Sequence, residues 1–319
     1  MATILKPRSP SLELLIMNSL SLRMKFTKEL EQRLYAINSG YEGEVKFDTF
    51  YENCPDNWVI LNDIWLKIDN FTFQIDSLLI TTGTNYLFDV KNFLNEYEYR
   101  NGRFYRKDQE TRSNPLKQLE RCDTSYRYLL KQLGLNFPVV SNLAFVNEKF
   151  TLFGATRDLP IILPTQMEQF FQQLKTTEAK TSKRSEQPSQ HQMHLANQIL
   201  SLHVNQSPYK DLPDYSFEIL EKGLVCGKCG TFFAPPGKLQ RTLLCHKCGC
   251  EESVENAILR CIEEYRLLFP NDRITTKRIQ EWCRVITCER RIRRSLNKYF
   301  QRIGHSTSSY FVERSAQSI

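Results

Sequence analysis

The sequence predicts an α/β core, then a small four-cysteine module, then a compact basic helical domain. Three observations carry this expectation. Up to about Leu174, short β-like runs alternate with helical patterns, which is the signature of a central sheet covered by helices. Two C-x-x-C pairs follow between Cys226 and Cys248. Nine Lys and Arg residues then crowd into positions 277–302 against two Glu.

Trp58–Leu61, Phe71–Ile80, Tyr86–Val90 and Pro138–Val146 are rich in β-branched and aromatic residues and read as strands. A helical pattern from Glu42 to Tyr51 follows a Gly-Tyr-Glu-Gly stretch expected to turn. A stronger helix spans Asn114 to Leu133. Asn114 suits the N-cap and Pro115 the first helical position. Leu116, Leu119, Tyr126, Leu129, Leu130 and Leu133 recur near helical spacing, and Gly134 closes the run. Together these predict a central mixed sheet flanked by helices. Residues 175–190 hold no large apolar side chain and read as a polar linker. The expected division is an α/β domain over 1–174 (core about 40–170) and the linker. A helix and connector over 191–221 come next, then the cysteine module over 222–252 and a basic domain over 253–319.

The chain has 319 residues, 41% hydrophobic and 25% charged, a composition that excludes global disorder. No run approaches the ~20 apolar residues of a membrane helix. Leu12–Leu22 is broken by Glu13, Asn18, Ser19 and Ser21. It reads as an amphipathic helix, not a leader segment, and a cytoplasmic chain without a membrane partner is expected.

Ten cysteines are present, five of them between Cys226 and Cys250. Such clustering in a long chain favours metal over a disulfide framework. Cys226-Gly-Lys-Cys229 and Cys245-His-Lys-Cys248 each allow two thiolates to reach one tetrahedral zinc ion. Gly230 and Gly249 follow at once, where such a turn needs positive φ. Thr231–Ala234 and Arg241–Leu244 suit the hairpins of a zinc ribbon. Four cysteines leave no open coordination position, so this Zn²⁺ is expected to be structural. His246 and Cys250 lie close by, and Cys250 is expected to point away.

Val254, Ala257, Ile258, Cys261, Ile262, Tyr265 and Leu268 share one helical face, and Ile279 and Trp282 mark a second helix from about Thr276. A third is expected to carry Ile292, Leu296, Tyr299, Phe300 and Ile303 on its apolar side. Arg290, Arg294, Lys298 and Arg302 recur every fourth residue opposite. Tyr310–Val312 then suits a β-wing, giving a winged-helix-like arrangement. The segment 277–302 accounts for the whole net charge of +7. It points to a polyanion partner, nucleic acid before membrane, with Lys277, Arg278 and Arg291 as further phosphate contacts. DNA is favoured over RNA as the expected partner, and RNA stays open because no aromatic-rich stacking motif separates the two.

Two acidic positions stand out within the strands. Asp76 lies in Gln74-Ile-Asp76, and Asp89 in Asp89-Val-Lys91-Asn92. A carboxylate among apolar strand residues is costly without a partner or a task. Asp89 and Lys91, two residues apart, point to one face of their strand, and Asp76 could reach that face across a hairpin. Two converging carboxylates make a hard-oxygen site for Mg²⁺ or Mn²⁺. A lysine beside them can orient water or stabilise phosphorane charge, which is the chemistry of metal-assisted phosphodiester hydrolysis. A structural Asp–Lys ion pair is the competing reading of the same residues.

The region from about Gly40 to Phe170 resembles the nuclease-related domain (NERD), a branch of the PD-(D/E)xK nuclease superfamily. The matching residues are Gly40-Tyr-Glu-Gly43-Glu44, Leu61-Asn-Asp63, Gln74-Ile-Asp76, Asp89-Val-Lys91-Asn92, and Asn114-Pro115 with Gln118. The resemblance implies a restriction-endonuclease-like core in which Asp76 and Asp89 ligate the metal, Glu44 supports it and Lys91 acts on the water. Gln118 would sit near the centre in a supporting role. Asp89 stands where the family usually has Glu, and Ile75 where the wider superfamily has proline. The expected function is a Mg²⁺- or Mn²⁺-dependent nuclease acting on DNA. The alternative is a catalytically silent scaffold attached to a DNA-binding regulator.

Overall fold

The protein is described by a computed structural model covering residues 2–181, 187–204, 212–237, 240–305 and 309–314. It divides into two units. The first comprises Met1–Pro10 and Tyr35–Ser207, the second Ser11–Leu34 and Pro208–Ile319.

The first unit is built on a six-stranded sheet of β1 (Thr3–Lys6), β2 (Val59–Ile68), β3 (Phe71–Ile80), β4 (Asn85–Lys91), β8 (Val139–Phe145) and β10 (Ile161–Ile162), in the order β1-β2-β3-β4-β8-β10. The central β2-β3-β4 meander is antiparallel; β1 joins it in parallel, as do β8 and β10 on the other side. On one face, α3 (Pro115–Gln132) and α5 (Gln190–Ser201) bury Tyr126, Leu129, Leu130, Leu195 and Ile199 against Leu61, Leu78 and Leu87. On the other, Phe47 of α2 (Lys28–Asp48) and Phe171 and Leu174 of α4 (Met167–Thr181) pack on Ile60, Leu79 and Phe88. The Asn114 side chain accepts from the amides of Leu116 and Lys117, so the α3 cap forms as its sequence requires.

Three features differ from the expectation. The Gly-Tyr-Glu-Gly stretch does not turn, because α2 runs through it unbroken. Its second glycine serves close approach. A Cβ on Gly43 would lie 2.5 Å from Asn92 Cβ at the end of β4. Helix α4 runs on through Thr181, into the stretch expected to be linker. Glu178 on that extension is buried and accepts from the Tyr86 hydroxyl at 3.4 Å, which ties the polar turn to the sheet. Positions 182–186 of the same stretch lie outside the described residues. A second sheet has no counterpart among the expected elements. Strands β5 (Asn95–Arg100), β6 (Arg103–Arg106), β7 (Gln109–Glu110) and β9 (Phe150–Phe153) pair in the order β7-β6-β5-β9 over a cluster of Tyr97, Phe104, Phe145 and Phe150.

In the second unit, α6 (Val254–Leu268), α7 (Thr276–Cys283) and α8 (Glu289–Tyr299) precede an antiparallel hairpin of β13 (Phe300–Ile303) and β14 (Tyr310–Glu313). Ile274 bridges to Phe311. The third helix is shorter than its apolar stripe suggests. Phe300 leaves helical geometry and is buried, so Arg302 belongs to a strand and not to the helix face of Arg290, Arg294 and Lys298. The N-terminal helix α1 (Leu12–Arg23) also belongs to this unit, where the expected division assigned it to the α/β domain. Ile16 and Leu20 join Tyr265 and Trp282 in one core. The buried Arg23 pairs with Glu264 at 2.5 Å and donates to the Glu221 and Gly223 carbonyls at 2.6 and 3.1 Å. Its guanidinium lies 4.0 Å from the Trp282 ring centre. Among the described residues, no helix is long and apolar enough to cross a membrane.

Candidate active site and zinc site

The site begins where β3 and β4 part. Main-chain pairing of the two strands ends at Ser77–Phe88, so the next positions, Asp76 and Asp89, are freed from the ladder. The Val90 amide is satisfied by a side chain instead, donating to Asp76 Oδ2 at 2.8 Å. On β2 opposite, Asp63 adopts a left-handed φ of 52°, a conformation non-glycine residues seldom take. There the inward-facing positions shift from Val59 and Leu61 to Ile64, Leu66 and Ile68. The change of phase lets polar residues gather inside an otherwise apolar sheet. Lys6 Nζ supports the bend by donating to the carbonyls of Asn62 and Asp63 at 2.8 and 2.7 Å.

Asp76 and Asp89 are both buried, and the ammonium of Lys91 contacts Asp89 Oδ1 directly. Burial pushes the Asp89 carboxyl up to about 7, with the Asp76 charge adding to the effect and Lys91 opposing it. Burial alone would lower the pKa of Lys91, but the carboxylates of Asp89 and Asp76 outweigh it and keep the ammonium charged. Glu44 is raised to about 8, first by burial and then by Asp76, against the opposing charge of Arg8.

A cavity of about 640 Å³ opens over this cluster. Glu44 from α2, Asp76 from β3, Lys91 from β4 and Gln118 from α3 all line it. Asp89 does not. It faces a small recess that Asp76, Leu119 and Cys122 also line. Nor do Glu44, Asp76 and Asp89 form a trio with oxygens all within 4.8 Å of one another; among the described residues only the four cysteines below form such a group. The residues nonetheless suit a divalent cation. They offer hard carboxylate oxygens, and the crowding that raises Glu44 and Asp89 is what a bound cation relieves.

Several contributors escape a reading of the sequence. The Arg8 side chain is buried and donates to both Asp48 oxygens at 2.9 and 3.0 Å, to Glu44 Oε2 at 2.5 Å and to the Asp76 carbonyl at 2.9 Å. It fixes the helix carboxylate against the strand. Gln74 donates to Asp63 at 2.9 Å. Asn92 donates to the Ser39 carbonyl at 2.8 Å and accepts from Asn147 at 3.0 Å, which holds the end of β4 against α2. Asp63, Gln74 and Asn92 carry a signal as members of the matched motifs, and Arg8 carries none.

In the second unit, the Cys226, Cys229, Cys245 and Cys248 sulfurs lie within 4.8 Å of one another. Tetrahedral bonds of ~2.3 Å to zinc separate sulfurs by about 3.8 Å. The Cys226–Cys248 and Cys229–Cys245 separations are 3.7 and 3.4 Å. The two knuckles repeat one hydrogen-bond pattern: the Gly230 amide donates to the Cys226 carbonyl and the Gly249 amide to the Cys245 carbonyl, both at 2.9 Å. Both glycines have positive φ, 72° and 68°. The cluster can hold a zinc ion. Cys250 Sγ donates to its neighbour's carbonyl at 3.8 Å and takes no part in it. The β11 (Thr242–Leu244) and β12 (Glu251–Ser253) hairpin forms beside it.

The basic residues divide. Lys277, Arg290 and Arg294 are exposed. Lys298 pairs with Glu255 at 2.6 Å, and Arg291 donates to the Gln240 carbonyl at 2.7 Å. Arg278 lies 3.5 Å from the Phe217 ring centre and donates to the Tyr265 hydroxyl at 3.3 Å, a structural placement.

Residues 39–146 match the family model described as the nuclease-related domain. No curated protein and no solved structure matches the chain significantly. The matched span begins at Ser39, which holds Asn92, and ends at Val146 just past β8, so it encloses Glu44, Asp76, Asp89, Lys91 and Gln118. Residues 39–146 of this chain are a nuclease-related domain.

Proposed function

We propose that the protein is a Mg²⁺- or Mn²⁺-dependent nuclease that hydrolyses phosphodiester bonds, with DNA as the favoured substrate. The observation that carries this reading is the parting of β3 and β4 at Asp76 and Asp89, beside Lys91 and inside a nuclease-related domain. A structural ion pair would not need strands separated around it, nor a cavity above it.

Asp76 and Asp89 would hold the cation, with Glu44 supporting it. When bound, it supplies Lewis-acid charge and an acidified water. Lys91, held charged by its carboxylate neighbours, donates hydrogen bonds to the attacking water and to the charge that grows on the phosphoryl oxygens. Gln118 reaches the same space from α3 and orients what enters it. Arg8 holds Glu44 in place. In the second unit, the zinc ribbon and a winged-helix-like set of α6, α7, α8 and the β13–β14 hairpin would bind the nucleic acid through Lys277, Arg290, Arg294 and Arg302.

The test is cleavage of linear, circular and single-stranded DNA, and of RNA, by purified protein with Mg²⁺ or Mn²⁺ and with chelator. Cleavage is expected with metal only, falling at least about 100-fold in Asp76→Ala and Lys91→Ala. If all four substrates stay intact, the protein is instead a silent scaffold carrying a DNA-binding regulator. Unchanged activity in the two variants would move the site elsewhere.

A further inference from the structure

Two cavity-lining residues have no part in the centre just described. Tyr35 stands on α2 and Arg106 on β6. They come from separate elements, yet line the same 640 Å³ space as Glu44, Asp76 and Lys91.

Arg106 follows from the charges. The cations lining the cavity are Lys91 and Arg106, and the acids are Glu42, Glu44 and Asp76. Lys91 is occupied by Asp89. Arg106 is exposed, with its guanidinium 5.7 Å from the Tyr97 ring centre, and it pairs with no carboxylate among the described residues. A polyanion entering this acidic space has Arg106 as the cation that can take a phosphate beside the reacting one.

Tyr35 follows from its exposure. At 69% it is the most exposed large hydrophobic or aromatic residue of the described chain. The other aromatics lining the cavity, Phe93 and Tyr97, stack on each other at 4.9 Å and on the Phe150 cluster, so their rings are already covered. Tyr35 makes no ring contact with any described residue. It shares a helix face with Ser39 and Glu42, which also line the cavity. It precedes Glu44 by nine residues, about 13 Å along the helix axis. A ring there meets a nucleotide flanking the scissile phosphate, not the one that is cut.

A duplex keeps its bases stacked and paired, so none is free to lie on an isolated ring. An unpaired strand has free base faces, and stacking on aromatic side chains is how such strands are held. We propose that Tyr35 and Arg106 form a subsite for single-stranded nucleic acid in the nuclease cleft, Tyr35 stacking a base and Arg106 binding the adjoining phosphate. This rests on the nuclease reading, and it narrows the substrate from nucleic acid in general to a strand that is unpaired where it is cut.

The experiment uses the full chain and labelled oligonucleotides of one sequence: single-stranded DNA, blunt duplex DNA and single-stranded RNA. Cleavage is followed in wild type with Mn²⁺, and binding by anisotropy in an Asp89→Asn background. Both residues are exposed, so their substitution leaves the fold intact. Tyr35→Ala should weaken single-strand binding roughly tenfold or more, Tyr35→Phe should restore it, and blunt-duplex binding should not change with either. Arg106→Gln should flatten the slope of log K against log salt for the single strand by about 0.7. Wild type should cut the single strand at least about tenfold faster than the blunt duplex, in keeping with the loss of one stacked base. Preference between the DNA and RNA single strands identifies the source of the strand. A Tyr35→Ala protein within about twofold of Tyr35 protein in single-strand binding overturns the subsite. So does a wild type that cuts duplex as fast as single strand. If wild type cuts nothing, the nuclease reading fails, while the binding series still decides the subsite.

Discussion

Glu44 and Asp89 show how burial sets the chemistry of individual side chains. Both carboxyls sit where water is scarce and another acid is near, and both are raised, to about 8 and about 7. A folded-state pKa above the unfolded one means the folded protein binds its proton more tightly. The corresponding stability is fully present below about pH 4 and is lost as pH rises through about 7 to 8. The metal-free protein should therefore melt at progressively lower temperature from about pH 5 to about pH 8. Mg²⁺ or Mn²⁺ should oppose that fall, and Glu44→Gln or Asp89→Asn should flatten it. Melting curves across this range check the claim, and a flat profile without metal refutes it. The same residues explain why the motif was readable. Asp76, Asp89, Lys91, Glu44 and Gln118 each lie in a short signature. Arg8 lies in none, because its role depends on meeting Glu44, 36 positions away.

Helix α8 illustrates how a regular pattern can overstate an element. Four basic residues at steps of four suggested one continuous face. The helix stops at Tyr299 because Phe300 and Ile303 find pairing partners in Tyr310–Glu313. Lys298, still on the helix, is held by Glu255, whose carboxylate also accepts from the Tyr299 hydroxyl. Replacing Arg290 and Arg294 with Ala should lower the salt slope for duplex DNA binding by about two. Lys298→Ala and Arg278→Ala should leave it nearly unchanged, since their charges are engaged within the protein. An equal effect from all four would show that the internal pairs give way to phosphate. Gly43 is the counterpart in α2, where the sequence suggested a turn and the structure needs only the missing Cβ beside Asn92.

For the molecule as a whole, the chain order is not the order of the units. The second unit takes Ser11–Leu34 from the N-terminal region. Ile16 and Leu20 fill its core, and Arg23 is buried between Glu264 and Trp282. Arg23→Ala should cost about 3–5 kcal/mol by leaving Glu264 without its partner and the carbonyls of Glu221 and Gly223 without a donor. A fragment of residues 208–319 should unfold at lower urea than the same fragment supplied with residues 11–34. Urea melts followed by Trp282 fluorescence would measure both, and equal midpoints for the two fragments would rule out a contribution from α1.

Local chemistry explains what was legible in the sequence. Zinc knuckles, a capped α3 and short acidic strand motifs depend on neighbours within a few positions, so spacing and residue type suffice to read them. Contacts between distant segments were not legible. The parting of β3 from β4, the phase change at Asp63 and the passage of α1 into the second unit each depend on packing between segments far apart in the chain. The aromatic and basic residues around the cleft show the same limit. Tyr35, Tyr97 and Arg106 form no motif when read in order, and become one surface only when α2 and the second sheet meet over Lys91.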